Sequence, residues 1–572
     1  MTSTHIAAAL ACAALLGLSP ASAAEPADLI LTNAKVVTLD AASSLAQAIA
    51  VRDGKVVAVG GAGEVDRYMG RETRRLDLGG RTLIPGLSDS HVHAQGDQGA
   101  GFAGLGAATF TDAQIGEART VGEILAVISE AAAKKAPGEW VVVSGDLRHT
   151  RIREGRYPTR AELDAAAPHN PVLVPTGYIS TANSVALKLA GVTRDTPDPV
   201  GGIIRRDATG EPTGVLETGA ANLVARLVPV RHVDMSLTLL AAQRRLARMG
   251  ITSLREPGVS LEVLRAYQQL HARGEMLVRS SVMLRPVGFD EAAVAQIESW
   301  GPEKTAGDDM LKVWGVKLAI DGGLVLTNAG LMKEPYLDKP GYHGVQTTPT
   351  EALYRMIAAA NRVGLPVGIH ATGDAGMETV MEILDRVSAE KDIRGKRFAI
   401  EHADLPTPRA MELMRKLQVV ASIQPSMLTT APAVLLDQLG PVRAATFLPY
   451  QTYKRYGIAM AGGSDAPAFE VNPYHGIWSV VTRRVRNADQ VVAPEQRLTR
   501  EGALRLYVQG GAYLTFEEDV KGSIEPGKLA DFAVLSDDIL TVEEDRIPQI
   551  KALLTIVGGR VVYDALSAEP AR

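Results

Sequence analysis

Apolar runs alternate with helical stretches through the middle of the chain, from about residue 83 to about residue 510. Parallel strands that are buried on both faces appear as continuous apolar runs, and helices connect them. The runs that predict strands are, in order, RTLIPGLSDSHVH, ITSLREPG, VRSSVMLRP, VWGVKLAIDGG, LPVGIHATGD, RFAIEHADL, VVASIQPSM and IAMAGGSDAP. This pattern predicts an α/β fold, a (β/α)8 TIM-type barrel whose active end lies at the carboxyl ends of the strands.

Both ends of the chain are β-rich instead. Short strand-like runs flank the turn signal Asp53-Gly54 near the start, and the same texture returns in KGSIEPGKLADFAVLS near the end. The two ends together predict a small composite β-sandwich domain. The predicted divisions are 25–82 and 516–572 for the β-sandwich, 83–515 for the barrel, and about 97–245 for an insertion over the barrel mouth.

The first residues resemble a secretory signal. An apolar run is followed by Ala21-Ser22-Ala23, although no Lys or Arg precedes the run. We expect residues 1–24 to be a signal peptide and the mature protein to be exported, with the periplasm as its destination. No later stretch reaches eighteen uninterrupted apolar residues, so no membrane span is expected.

Charge and cysteine content narrow the possible chemistry. The net charge of −5 and the pI near 6.2 give no basic footprint, so a small-molecule substrate is expected rather than nucleic acid. Cys12 is the only cysteine, and it lies inside the predicted signal peptide. Any metal site of the mature chain must therefore use histidine, carboxylate or a modified side chain.

Ligand-type side chains stand where several of the predicted strands end. His91 and His93 point to the same side of the first strand because they are two residues apart. The others end the fourth, fifth, sixth and eighth strands: Lys317, His370, His402 and Asp465. Alone, an HxH pair is more often a surface feature and a buried histidine more often a core residue. Taken together, a shared ligand set is the better explanation.

The residue types fit zinc chemistry. Neutral imidazoles and a carboxylate hold Zn²⁺, and an open position lowers the pKa of water to about 7. A lysine beside a dication becomes sensible if Lys317 is carboxylated, because a carbamate can bridge two metal ions about 3.5–4 Å apart. The alternative for Lys317 is a surface or salt-bridged lysine.

The ordered motifs PGLSDSHVH, VKLAIDGG, IHATGD, IEHADL, IQP and GSDAP resemble the amidohydrolase superfamily, specifically its amidohydro-3, YtcJ-like branch of metal-dependent hydrolases. The segments from Asn183 to Gly191 and from Gly210 to Glu217 strengthen the likeness. The resemblance covers essentially the whole mature chain. It implies a barrel enzyme with a metal centre at the strand ends.

The resemblance also implies a role for each candidate. The zinc ions, one or two with a binuclear centre favoured, would be held by His91, His93 and Asp465 for the first, His370 and His402 for the second, and carboxylated Lys317 as the bridge. Asp465 would act as general base and then acid while a metal-activated hydroxide hydrolyses an amide-type C–N bond other than a peptide bond, a reaction of the EC 3.5 type. A homodimer is compatible with the family.

Two positions depart from the family pattern. Tyr178 and Met427 stand where relatives commonly have histidine. They predict a more apolar substrate-binding pocket. Two further expectations concern single side chains: Glu217 and Arg255 are expected in structural ion pairs, and Asp374 either orients His370 or caps a helix.

Other functions remain open at this point. The same metal site could serve an esterase, a lactonase or an isomerase. A non-catalytic periplasmic binding protein is a further alternative. The competent residue types at every predicted ligand position argue against the binding protein.

Overall fold

The computed structural model describes most of the chain, namely residues 25–96, 112–115, 118–144, 152–175, 179–229, 234–301, 307–430, 432–485 and 490–568. The predicted signal peptide, residues 1–24, and Tyr178 lie outside the described residues. Within the described part, no helix is both long and apolar enough to cross a membrane.

A sheet of eight parallel strands, counted over the described residues, forms a nearly closed barrel. The strands are, in chain order, Leu87–Asp89, Ile251–Val259, Arg279–Leu284, Leu311–Ala319, Val367–Ala371, Ala399–His402, Val420–Ile423 and Met460–Gly462. Each lies inside one of the apolar runs and pairs with the next in order around the barrel. The predicted fold class is therefore confirmed.

Helices cover the outside of the barrel and fill the connections. Several begin at a side-chain cap, as at Ser260, Asp290 and Thr407, whose side chains accept a hydrogen bond from a backbone N–H in the first turn. The α-helices in the described ranges are Ala62–Asp66, Val121–Ala133, Arg160–Ala166, Ser184–Leu189, Asn222–Ala225, Met235–Ala247, Leu261–Ala272, Glu291–Glu298, Leu324–Thr327, Thr350–Arg362, Asp374–Glu390, Pro408–Leu417, Ser426–Thr430, Pro432–Ala444, Tyr450–Tyr456, Pro473–Thr482 and Arg500–Leu514.

Strands from both ends of the chain build a β-sandwich. One sheet comprises Leu29–Thr32, Ala48–Arg52, Lys55–Gly60 and Arg74–Asp77, and the other comprises Lys35–Val37, Leu45–Ala46, Thr82–Pro85, Phe532–Leu535, Ala552–Val557 and Arg560–Asp564. Leu31 and Val51 of the first sheet share one apolar core with Phe532 and Leu554 of the second. Burial of these side chains joins the terminal segments into one unit.

The first apolar run is divided between the two units. Thr82–Pro85 pairs with Phe532–Leu535 in the sandwich, and Leu87–Asp89 pairs with the second barrel strand. Gly86 separates them, and a Cβ there would meet Thr252 Oγ1 at 2.1 Å. The sequence predicts one barrel strand over this run. The structure has two strands instead, because the chain passes from the sandwich to the barrel at Gly86, in close contact with Thr252.

The segment between the first and second barrel strands forms a third sheet. Its strands in the described residues are Ala113–Gln114, Val141–Ser144, Val172–Pro175, Ile179–Ala182, Gly202–Arg206 and Pro212–Thr218. Ser180 and Thr218 of this sheet line the cavity at the barrel mouth. The insertion therefore supplies part of the wall above the strand ends.

The barrel closes along a seam between residues 89–93 and 462–466. The backbone N–H of Asp465 donates to the carbonyl of His91 at 2.7 Å, and that of His93 donates to Ala466 at 2.8 Å. Asp89 accepts hydrogen bonds from the backbone and hydroxyl of Ser464 at 2.9 and 2.6 Å. A Cβ at Gly463 would lie 2.6 Å from the backbone nitrogen of His91, so the close contact of the two chain segments requires glycine at this position.

Candidate metal centre

A cavity of about 310 Å³ opens at the carboxyl ends of the barrel strands. Part of its wall comes from the insertion, and another part comes from loops that carry Arg285, Phe289 and Thr347. The six residues predicted from the sequence as metal ligands all line it: His91, His93, Lys317, His370, His402 and Asp465. The structure thus brings these side chains to one place.

Three of the six converge most closely. Within the described residues, one ligand-type atom from each of His91, His93 and Asp465 lies within 4.8 Å of the others. Asp465 Oδ1 is 3.4 Å from His91 Nε2 and 3.3 Å from His93 Nε2. His91 and His93 follow the first strand, which ends at Asp89, rather than lying on it as the sequence predicts. The seam produces this triangle, because it joins the segment after the first strand to the segment after the last one, which carries Asp465.

Buried charged side chains hold His91 on the Nδ1 side of its ring, away from Asp465. Its Nδ1 lies 2.6 Å from Glu401 Oε2, and Arg255 Nη2 donates to both oxygens of Glu401 at 2.7 and 2.8 Å. Arg255 also donates to the carbonyl of Ser90 and stacks on Trp314 at 4.6 Å. Both partners of the ion pair are almost completely buried. The pair fixes the imidazole orientation across the barrel interior.

These contacts decide the charge states. Burial, assisted by the charge of Lys317, lowers the pKa of His91 to about 4, so its imidazole is neutral at pH 7. Burial opposes ionisation of Glu401, but Arg255 and the His91 hydrogen bond outweigh it and hold its pKa well below the ordinary value. The proton of His91 therefore sits on Nδ1, which leaves the lone pair of Nε2 directed at Asp465.

Asp465 faces that lone pair as an anion. Burial disfavours its carboxylate, but the hydrogen bond with His93 and the positive charge of Lys317 lower its pKa below the ordinary value. His91 Nε2 and Asp465 Oδ1 are then two acceptors 3.4 Å apart. Such a contact is unfavourable in a buried site unless a cation lies with both atoms.

The nearest partners of the second histidine pair are an amide and a backbone carbonyl. His402 Nδ1 lies 2.7 Å from the amide oxygen of Gln424, and His370 Nε2 lies 3.2 Å from the carbonyl of Gly322. The two rings meet edge to face with centroids 4.4 Å apart. Burial lowers the pKa of His370 to about 3 and takes that of His402 well below its ordinary value. Both imidazoles are therefore neutral ligand candidates.

Two of these residues have unusual backbones. His402 has a φ of 76° and Asp465 a φ of 56°, in the left-handed region that non-glycine residues seldom occupy. Each residue ends or follows a short barrel strand. Such conformations persist where the surrounding structure holds them, and they cluster at functional sites.

Lys317 lies inside the fourth strand and is 8% exposed. Burial lowers its pKa to about 8, against the attraction of Glu401 and Asp465. Among the described residues, none forms a hydrogen bond or an ion pair with its Nζ. The predicted alternative of a surface lysine is excluded by this burial.

Met427 does not line the larger cavity. It is buried and borders a neighbouring space of about 20 Å³, together with His370, His402 and Asp404. The side chain of Asp404 is also buried there, and its Oδ1 has no hydrogen-bond partner among the described residues. Met427 thus packs beside the second histidine pair, whereas Tyr178, the other predicted substrate-binding residue, lies outside the described residues.

Sequence reasoning missed the partners of the histidines. Glu401 and Gln424 were not singled out, although each interrupts an apolar strand region with a polar side chain, which was the available signal. Arg255 and Glu217 were expected in ion pairs, and they pair with Glu401 and with Arg205.

Asp374 has neither of its two predicted roles, because the N-cap of the following helix is Gly373. Its carboxylate accepts from the backbone of Lys333 at 2.8 Å and from Ala375 at the start of a helix. It is the first residue of that helix. His370 instead lies 3.6 Å from Asp321, so the orienting role at His370 does not belong to Asp374.

Comparison with known sequences gives the family. The model described as "Amidohydrolase family" (Amidohydro_3) matches residues 74–563. Protein LONG AFTER FAR-RED 3 of Arabidopsis thaliana is 30% identical, with 94% of this chain and 92% of that protein covered. Putative amidohydrolase YtcJ of Bacillus subtilis is 29% identical, with 91% of this chain and 96% of that protein covered. N-substituted formamide deformylase of Arthrobacter pascens is 26% identical, with 94% of this chain and 98% of that protein covered.

Comparison with solved structures supports the fold. An uncharacterized metal-dependent hydrolase from Pyrococcus horikoshii superposes with a TM-score of 0.69 at 23% identity, over 90% of this chain and 99% of that one. The family model covers the barrel and the part of the sandwich that begins at the strand Arg74–Asp77, and it includes every residue of the cavity described above. The chain therefore belongs to the amidohydrolase family, within its Amidohydro_3, YtcJ-like branch.

Proposed function

We propose that the protein is a metal-dependent hydrolase that cleaves an amide-type C–N bond other than a peptide bond in a small molecule. The contact that carries the proposal is the one between His91 Nε2 and Asp465 Oδ1, two acceptors 3.4 Å apart in a buried place. A cation between them removes the repulsion and uses both lone pairs. A proton on Nε2 would do the same, but Nδ1 carries the ring hydrogen toward Glu401 and the lowered pKa of His91 keeps the imidazole neutral.

The donor set fits zinc. It contains imidazole nitrogen and carboxylate oxygen without sulfur, and three donors already lie within 4.8 Å of one another in the described part of the chain. We assign His91, His93 and Asp465 to a first zinc ion and His370 and His402 to a second. The rear contacts of His91 and His402 are at Nδ1, which leaves Nε2 of both rings for the metal.

Lys317 completes this proposal as a carbamate. Its amine is buried at the cavity wall, and no hydrogen bond or ion pair with another described residue compensates its burial. The ammonium would first lose a proton to solvent, which its lowered pKa favours, and the neutral amine would then add to carbon dioxide and release a second proton. The product is a carbamate, an anion that a pair of dications attracts. The carbamate would bridge the two ions.

The side chains of this site suit hydrolysis. When bound, zinc supplies Lewis acidity, which makes water more acidic and polarises a carbonyl. Asp465 lies beside the metal-binding imidazoles, so it takes the proton that the attacking water loses. Asp465 then delivers this proton to the leaving nitrogen, which departs as a neutral amine. Glu401 keeps His91 in the tautomer that this arrangement needs.

The family, the names of its relatives and the volume of the cavity indicate the substrate class. Amide-type bonds are the common target suggested by the family name and by the relative named as a formamide deformylase. A cavity of about 310 Å³ admits a small molecule rather than a folded protein. Phe289 and Met356 offer apolar surface beside polar Asn222 and Thr348, in keeping with a substrate of mixed character.

Metal analysis combined with matched substrates tests the proposal. The purified protein should contain one to two zinc ions per chain, and a chelator should abolish hydrolysis until zinc is returned. An N-aryl formamide should be cleaved, and the matched aryl ester provides the comparison. Full activity without metal would refute the proposal, and turnover of the ester alone would assign the site to an esterase.

We also propose that the protein acts after export, as its first residues indicate. Fractionation of the producing cell and sequencing of the mature N-terminus test this. A start at residue 24 or 25 in the periplasmic fraction is expected, and an uncleaved cytoplasmic chain would contradict it. The homodimer stays a prediction, which sedimentation of the purified protein checks.

A further inference from the structure

A second, larger space lies between the insertion and the barrel. This groove has a volume of about 740 Å³ and is lined by residues of three insertion strands, of the segment 155–161 and of the segment that follows the fourth barrel strand. Ile179 and Val215 give it apolar surface, and its charged lining residues are Arg156, Arg160, Arg205, Asp207, Glu217 and Lys339. It shares no lining residue with the catalytic cavity among the described residues.

Three of the charged residues, Arg205, Glu217 and Lys339, form one cluster around Tyr342. Arg205 Nε donates to Glu217 Oε1 at 2.6 Å. The guanidinium carbon of Arg205 and the Nζ of Lys339 lie 5.4 and 5.3 Å from the centroid of the Tyr342 ring. The hydroxyl of Tyr342 is 3.4 Å from Glu217 Oε2. Two cations from different parts of the fold therefore share one buried carboxylate.

Several donors of this cluster have no acceptor. Arg205 uses Nε for Glu217, while its Nη1 and Nη2 make no hydrogen bond with the described residues. The same holds for Lys339 Nζ, and burial lowers the pKa of Lys339 despite the nearby Glu217. Two other nearby carboxylates have partners of their own: Asp338 accepts from Asn328 Nδ2 with both oxygens at 2.9 and 2.8 Å, and Asp198 accepts from Arg206 Nη1 at 2.9 Å.

The groove and the catalytic cavity lie on opposite sides of the same strands. Ile179 and Glu217 line the groove, whereas their neighbours Ser180 and Thr218 line the catalytic cavity. Successive side chains of a strand point to opposite faces, so the wall is a single sheet thick. Thr218 has a φ of 48° and ends its strand at the cavity, where a small shift of the backbone moves a cavity-lining group.

We propose that this groove is an accessory binding site for a small organic anion, one with a carboxylate or phosphate group on an apolar or aromatic body. The anionic group would take the spare donors of Arg205 and Lys339, and the apolar body would lie along Ile179 and Val215. Charge-assisted hydrogen bonds to both cations give the anion its affinity.

The position of the site predicts its effect. Arg205 belongs to the insertion and Lys339 to a segment that leaves the barrel, so a bound anion ties the two together. It would fix the wall that includes Thr218 without touching any of the proposed metal ligands. Occupancy is therefore expected to change KM for the hydrolysed substrate and to leave kcat nearly unchanged.

Calorimetric titration of the zinc-loaded full-length protein tests the binding. The probes are benzoate and phenyl phosphate, with neutral benzyl alcohol as the matched control. Binding of the two anions but not of the alcohol is expected. Arg205→Gln and Lys339→Gln should each weaken anion binding at least tenfold, and the double variant should abolish it.

Two comparisons keep the result unambiguous. Lys333→Gln removes an exposed cation of the same segment that is paired with Glu378, and it should leave binding unchanged. Anion binding that survives in the double variant and disappears when zinc is removed would place the anion at the metal centre and overturn the proposal. Equal loss in the Lys333→Gln variant would reduce it to a general effect of charge.

Kinetics and melting complete the test. Thermal unfolding should show that each variant is folded, and Arg205→Lys should retain part of the binding that Arg205→Gln loses. Phenyl phosphate should shift KM in the wild type but not in the double variant. Calorimetry needs no turnover, so a failure of the proposed hydrolase activity would leave the binding result readable.

Discussion

His91 and His402, one from each histidine pair at the barrel mouth, are held by partners of different charge. His91 contacts an ionised carboxylate, Glu401, which Arg255 keeps charged, whereas His402 contacts the neutral amide of Gln424. An anionic partner makes an imidazole a stronger metal ligand than a neutral partner does. The comparison teaches that two similar sets of ligands need not bind equally: the first zinc position should be the tighter one.

Asp465→Asn is the most severe way to break the first half of the centre. It removes the anion that faces both His91 and His93, together with the proposed proton carrier. We expect kcat to fall by about 10³-fold or more, since loss of general acid–base catalysis alone costs about 10²–10⁴-fold. Steady-state kinetics measures this.

The matched control is Asp392→Asn, which changes the same chemistry at an exposed carboxylate paired with Arg394. Its activity should stay within about twofold of the wild type, as for most surface substitutions. Activity of Asp465→Asn equal to that of the control would remove Asp465 from the mechanism.

Glu401→Gln breaks the charged support while keeping an acceptor for His91. Arg255 is then a buried cation without its anion, so the free energy of unfolding should fall by about 3–5 kcal/mol. Zinc affinity of the first position should fall by about 10–100-fold. Denaturant titration and zinc competition with a chromophoric chelator measure the two effects.

The double variant Glu401→Gln/Arg255→Met separates these effects. Removing both charges should recover part of the stability, because no unpaired charge remains buried. Zinc affinity should stay low, because the anion behind His91 is still missing. Recovery of both quantities would show that Glu401 serves only the ion pair.

Gln424→Leu tests the second zinc position, where His402 contacts a neutral amide, and it should lower zinc affinity less than Glu401→Gln does. Leucine keeps the approximate volume but leaves His402 Nδ1 without its acceptor. The affinity for the second zinc should fall by about tenfold, the lower end for loss of an outer contact. Stepwise zinc titration should show the first binding step unchanged. Equal weakening of both steps would contradict the division of the centre into two halves.

Acidification should have the smallest effect. Because the pKa of His91 is lowered from 6.5 to about 4 and that of His370 to about 3, protons compete with metal at these residues only below about pH 4. Ordinary histidines would lose metal as the pH falls through 6.5. Zinc binding measured from pH 7 to pH 5 should therefore change little through these two residues. A steep loss centred near pH 6.5 would show that they titrate normally.

The sequence carried enough information to find the fold and the ligand candidates. Lys317, His370 and His402 each end or interrupt an apolar run, and parallel strands of a barrel bring their carboxyl ends together. Local pattern and general topology therefore located the cavity without any knowledge of contacts.

The supporting contacts could not be predicted in the same way. Arg255 and Glu401 are 146 positions apart and meet across the barrel interior, which depends on strand tilt and side-chain length. The division at Gly86 depends on how closely the sandwich approaches Thr252, a packing detail that the apolar run does not reveal. Partner choice at His91 and His402 likewise depends on the finished barrel.

The seam has a consequence for how the molecule holds together. Asp89 and Ser464, which meet there, are 375 positions apart, so joining them carries a large entropic cost for the chain. Because His91 and Asp465 flank the same junction, a cation bound by both would hold the first and last strands of the barrel together. Metal binding would then be linked to the stability of the closed barrel, and loss of metal would first weaken the contact between these two strands.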